Sequence, residues 1–153
     1  LGAKTVVTDV LDEKLISAKK LGADATVNIT VSDVREEIKK WWEQASDDLE
    51  KARILYKNKK YDGAAFYSQQ AVEKAFKALL LKKTKKIRKI HDLVELGTDV
   101  CLPEDLLNSI KELTMAYIYS RYPDVKREPN LKEKASHFLE ISKEALKWVE
   151  ENL

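Results

Sequence analysis

The sequence has one cysteine, three prolines, four glycines and two histidines among 153 residues. The lone Cys101 can build neither an internal disulfide framework nor a cysteine cage for a metal, and it fits a reducing, cytoplasmic setting. No apolar run approaches the roughly 20 residues that a spanning helix needs, so no membrane span is expected. The first residues lack the basic-then-apolar pattern of a signal peptide. One-signed charge is also missing. The 28 lysines and arginines face 26 aspartates and glutamates, leaving a net charge of +2. The whole chain is therefore no polyelectrolyte binder, and any nucleic-acid footprint must be a local patch. His91 and His137 lie far apart without a paired carboxylate motif, so neither a metal site nor a cofactor is expected. What is present is charge (35%) and apolar residues (44%), with few chain breakers. That composition reads as a charged, helix-rich protein of one ordinary domain plus an appendage.

The appendage is residues 1–36. "KTVVTDV" (4–10) is a short β-branched run, and "ADATVNITV" (23–31) is a second. Between them "LDEKLISAKKLG" places Leu11, Leu15, Ala18 and Leu21 at helical spacing, with Gly22 where a helix would end. This predicts a strand–helix–strand unit. With "AKKLGADATVNI" it resembles the middle of the nucleotide-binding domain of medium-chain alcohol and polyol dehydrogenases. That resemblance puts Asp9 where the family's acidic residue holds the cofactor ribose. The glycine-rich turn that would cradle a pyrophosphate belongs upstream of the first residue. Asp9 is therefore expected to be vestigial and the segment an incomplete Rossmann-like βαβ unit. Two short parallel strands cannot form a stable open sheet alone, so their edges need a partner, such as the same segment of a second chain.

From Val34 the pattern turns helical. Ser32 before Asp33, Glu36 and Glu37 suits a helix start, because acids favour the positive end of the helix dipole. Ile38, Trp41, Trp42, Ala45, Leu49, Ala52 and Leu55 share one face. "YDGAAFYSQQAVEKAFKALLLKK" turns Ala64, Ala65, Ser68, Ala71, Val72, Ala75, Phe76 and Leu79 inward. "HDLVELG" makes about two turns ended by Gly97. A third long helix opens at Pro103 with a stripe through Leu106, Leu107, Ile110, Leu113, Thr114 and Tyr117. The last, "NLKEKASHFLEISKEALKWVEENL", faces Leu131, Ala135, Phe138, Leu139, Ala145, Leu146 and Val149 inward. Short connections make neighbours antiparallel, so residues 37–153 are expected to form an antiparallel up-and-down helical bundle.

Three places could carry chemistry. "KKTKKIRKIH" (82–91) holds six cations, Lys85, Lys86 and Arg88 among them, and no acid. It could seat phosphates, or be a solvated loop whose lysines complement a helix C-terminus. His91 follows at a helix start, either as a capping or packing residue or as a ligand-facing imidazole. His137 reads as structural. Glu73 and Lys77 are spaced for an ion pair, and Gln69 or Gln70 could meet polar groups across the bundle or a dimer. Arg121 sits beside Tyr117, Tyr119 and Tyr122 before Pro123 stops the helix. Its guanidinium could stack on Tyr117 one turn back, or contact an anion.

Taken together, "DLEKARILYKNKKYDGAAFYSQQAVEKAFKALLL", "IHDLVEL" and "YSRYPD" resemble the HEPN family (higher eukaryotes and prokaryotes nucleotide-binding domain) over about residues 37–153. The resemblance implies a small helical bundle, usually a homodimer, often encoded beside a minimal nucleotidyltransferase in a toxin–antitoxin or nucleotide-transfer pair. It also implies nucleotide or RNA binding. Ribonuclease members carry an arginine followed four to six residues later by a histidine. Here Arg121 is followed at that spacing by Lys126, Arg127 and Glu128. The expectation is thus a non-catalytic module whose dimer cleft is lined by Arg121, Tyr117, Tyr122 and Asp124, with His91 and Lys85, Lys86 and Arg88 at its edge. Two alternatives remain: a metal-independent ribonuclease using Arg121 with His91, and a purely structural partner-binding subunit.

Overall fold

The computed structural model describes residues 4–121 and 130–153, and for 29–32 and 116–121 it describes the backbone alone. Among the described residues are two strands and six helices, and the chain forms two compact units, Leu1–Glu37 and Ile38–Leu153.

In the first unit β1 (Val6–Asp9) and β2 (Ala25–Asn28) pair in parallel, Val6 opposite Ala25 and Asp9 opposite Asn28. Helix α1 (Asp12–Lys20) makes the crossover, with Asp12 and Glu13 in its first turn and Lys19 and Lys20 in its last, matching the dipole at both ends. Gly22 follows at φ +99°, the left-handed geometry that suits glycine after a helix. Leu15 and Ala23 are buried, whereas Val6, Val10, Leu11, Ile16, Leu21 and Val27 are exposed. A two-stranded parallel sheet with one helix has too little surface to cover them.

The β-branched run that suggested a strand through Val31 divides differently. β2 ends at Asn28 and α2 begins at Ile29. Beyond Asp9, β1 has no strand backbone left to pair with, so the chain after Asn28 satisfies its own N–H and C=O groups as helix. The modest cost of β-branched residues in a helix does not outweigh that. Ser32 consequently lies inside α2 rather than at its cap.

The second unit holds α2 (Ile29–Lys57) from Ile38 onward, α3 (Tyr61–Thr84), α4 (Leu93–Asp99), α5 (Glu104–Arg121) and α6 (Leu131–Asn152). One cluster from α2 to α6 forms the core, including Ala45, Leu49, Ala52, Phe76, Leu79, Leu93, Leu96, Ile110, Leu113, Phe138 and Val149. Helix α3 is its axis and packs against α4, α5 and α6. Helix α2 runs antiparallel to it: Trp41 meets Lys77, Asp48 meets Lys74, and Lys51 meets Tyr67. Helix α6 runs parallel to it, since Ser142 Oγ donates to the Ser68 carbonyl at 3.1 Å and Lys82 donates to the Asn152 and Leu153 carbonyls. Helix α4 passes through Gly97 to Asp99 instead of stopping at the glycine. Gly97 is buried in the helix because a Cβ there would stand 2.9 Å from Leu107 Cδ1.

Candidate ligand site

Because α3 is the central helix, polar residues that would usually face water on an amphipathic helix are buried on it. Gln69, Glu73 and Lys77 recur every fourth residue and so share one stripe. Gln69 is fully buried, and Glu73 and Lys77 are only 4% and 5% exposed. Lys77 Nζ donates to Glu73 Oε1 at 2.7 Å and stands 5.5 Å from the centre of the Trp41 ring. Gln69 Nε2 donates to Glu73 Oε2 at 3.2 Å. Each carboxylate oxygen thus has a donor, as burial of a charge requires.

His91 joins this stripe from outside the helix. Its Nδ1 lies 3.0 Å from Glu73 Oε1, and its carbonyl accepts from Gln69 Nε2 at 3.4 Å. The ring is the exposed member of the set, with a side chain 60% accessible. Asp92 caps α4 directly afterwards, its Oδ1 accepting from the backbone N–H of Val94 (2.8 Å) and Glu95 (3.1 Å). One histidine therefore links the buried stripe of α3 to the start of α4.

The basic connector between α3 and α4 is fastened at both ends. Lys85 ends α3 in the left-handed region at φ 58°. Lys83 donates to the Val100 carbonyl. Arg88 reaches Asp99 and, at 3.1 Å, Glu95, and these acids, Asp99 first, hold its pKa above the ordinary arginine value. Arg88 thus ties the connector to α4. Among the described residues, no acidic side chain pairs with Lys85, Lys86 or Lys89, and all three are exposed. The segment is a braced scaffold that displays three lysines and ends in a clamped histidine.

The other expected residues are placed as follows. Tyr117 and Arg121 lie on the last turns of α5, with side chains outside the described residues. Tyr122 and Asp124 lie outside them altogether. His137 on α6 faces Glu112 of α5 at 3.7 Å. Asp9, in the first unit, turns Oδ1 onto the backbone N–H of Val10 (2.7 Å) and Leu11 (2.9 Å), with Lys14 at 3.6 Å from Oδ2. The Leu11 N–H, followed by that of Val10 and by Lys14, holds this carboxyl below its ordinary value. Its carboxylate serves the turn into α1. Among the described residues no group of histidine, cysteine and carboxylate side chains could hold a metal, and no helix is long and apolar enough to cross a membrane.

Sequence reasoning paired Glu73 with Lys77 and did not connect His91 with either. The 18-residue separation of Glu73 and His91 carries no periodic signal, and only the fold of the connector brings them together. Asp48 was missed as well. It is 1% exposed and is held by Lys74 and Lys51 between α2 and α3.

Comparison with known proteins agrees with this architecture. The family model of the HEPN domain matches residues 38–152. The crystal structure of TT1696 from Thermus thermophilus superimposes with a TM-score of 0.69 at 32% identity, covering 76% of this chain and 98% of that one. The crystal structure of ST0689, an archaeal HEPN homologue, gives 0.62 at 33% identity, covering 74% and 95%. A protein of Methanocaldococcus jannaschii named "Putative toxin MJ1304" is 32% identical over 91 residues. That match takes in 53% of this chain and only 60% of the relative's length. Through residues 38–152, the chain belongs to the HEPN domain family.

Proposed function

We propose that the protein is a non-catalytic, nucleotide- or RNA-binding HEPN module acting as a homodimer beside a minimal nucleotidyltransferase partner, in a pair of the toxin–antitoxin kind. The observation that carries the ligand part is the braced connector. Its exposed Lys85, Lys86 and Lys89 stand on a frame fixed by Arg88 and His91, so seating phosphates costs little reorganisation. In this reading Arg121, Tyr117, Tyr122 and Asp124 complete the cleft, with guanidinium and phenol groups suited to phosphate pairing and base stacking. The partner part draws support from the toxin-named relative.

The test is titration of ATP and of a short RNA into the protein and into Arg121→Ala. Saturable binding that weakens by about tenfold or more in the variant is expected. An intact dimer that binds neither ligand retires the ligand part. One geometric feature favours a ribonuclease as the second reading: Glu73 beneath His91 resembles the carboxylate–histidine pairs that serve proton transfer. The same RNA, end-labelled, decides it. Equal background cleavage by wild type and His91→Ala is the expected result, and cleavage lost in the variant would install the enzyme.

A further inference from the structure

The connector between α3 and α4 displays cations but contains no phenylalanine, tyrosine or tryptophan. It can grip phosphates, yet it brings no platform for a base. The fold supplies a ring from α2. Trp41 and Trp42 are neighbours on that helix and face different surroundings. Among the described residues Trp42 packs against the core cluster, whereas Trp41 is not part of that packing and turns to α3 instead. Its ring centre is 5.5 Å from Lys77 Nζ. Lys77 is 5% exposed, while Trp41 is half-buried. The indole therefore covers the ammonium end of the buried stripe, and the water it meets lies on the side away from Lys77. Three short steps lead from this ring to the connector: 5.5 Å to Lys77 Nζ, 2.7 Å on to Glu73 Oε1 and 3.0 Å on to His91 Nδ1.

The ring is also held in place. Its backbone belongs to a long helix, and the cation behind it attracts the π face. Lys77 is itself fixed by Glu73, so the cation cannot swing away. A flat side chain already ordered in this way loses little entropy when a second ring stacks on it. Every base has a π face, so such a platform holds a base without reading its edges. Resting on the nucleotide-binding reading above, we infer that Trp41 is the stacking platform for the unpaired base of a nucleotide whose phosphates lie on the connector lysines. The contact is tolerant of base identity, and the phosphates supply the remaining affinity.

The probes are ATP and inorganic tripolyphosphate, which offers phosphates without a base, titrated at the same salt. Wild type is expected to bind ATP about tenfold or more tighter, the effect of one stacked base. In Trp41→Leu that preference should vanish while tripolyphosphate affinity stays the same. Trp41→Phe keeps a ring over Lys77, so it should hold its melting temperature and keep part of the preference. Emission gives a second readout that needs only this milder variant. ATP should quench the tryptophan emission of wild type, and the quench should disappear in Trp41→Phe, which retains Trp42 and Trp148. Equal affinity of wild type for the two probes overturns the stacking contact while the phosphate seat stands. A preference for ATP that survives in Trp41→Leu, or a quench that survives in Trp41→Phe, overturns it as well and assigns the base to other rings. Binding of neither probe by wild type removes the stacking contact and the nucleotide-binding reading together.

Discussion

A single buried carboxylate, Glu73, does three things: it neutralises Lys77, accepts from Gln69 and holds His91. Removing it leaves an ammonium in the core with no counter-charge. Glu73→Ala should therefore lose about 3–5 kcal/mol in urea unfolding, whereas Glu73→Leu combined with Lys77→Met should recover most of that loss. A loss below about 1 kcal/mol in the single variant would mean that the pair is not buried in solution. Lys51 behaves differently because it is only half-buried. Its hydrogen bonds to Asp47 and then Asp48 push its pKa from 10.5 up to about 12. A raised pKa stabilises the fold fully below the ordinary value and is lost as pH rises through the folded one. Urea midpoints of wild type should thus fall more steeply between pH 10.5 and 12 than those of Lys51→Met. Parallel curves would show that the lysine is unpaired in solution.

Elements owe their positions to periodicity where one face is apolar, and to tertiary constraint where it is not. The inward stripes of α3 and α6 were legible because alanine, leucine and phenylalanine repeat at helical spacing, and Ala64, Phe76, Leu79, Ala135, Phe138 and Val149 are all buried. The buried polar stripe of α3 was not legible, because Gln69, Glu73 and Lys77 look like the solvated face of any helix until neighbours close over them. The start of α2 was misplaced because Ile29, Thr30 and Val31 favour strand locally, and the four-residue length of β1 decides where pairing ends. Gly97 looked like a helix stop, but a close approach of Leu107 explains it. The cap of α4 makes a clean element-level test. Asp92→Ala removes the acceptor for two backbone N–H groups and should cost about 1 kcal/mol. Hydrogen exchange should speed up first at Val94 and Glu95, and unchanged protection there would rule out the cap.

Across the whole molecule, two units of different completeness share one chain. The bundle has a continuous core, while the βαβ unit exposes much of its apolar surface. The candidate site belongs to the bundle and depends on its depth. A helix buried on almost every side supplies the clamp, and the clamp braces a short basic segment against α4. The HEPN fold was readable from three sequence stretches in order. The role of the connector was only half readable, because nothing local separates Lys85 and Lys86, which stay exposed, from Arg88, which is tied to Asp99. The most direct measurement is the ATP affinity of wild type against Lys85→Glu/Lys86→Glu by titration calorimetry at fixed salt. If the braced connector seats phosphates, wild type binds, the charge reversal lowers affinity by about tenfold or more, and the melting temperature stays the same. Equal affinities for the two proteins, or no binding by wild type, would contradict it.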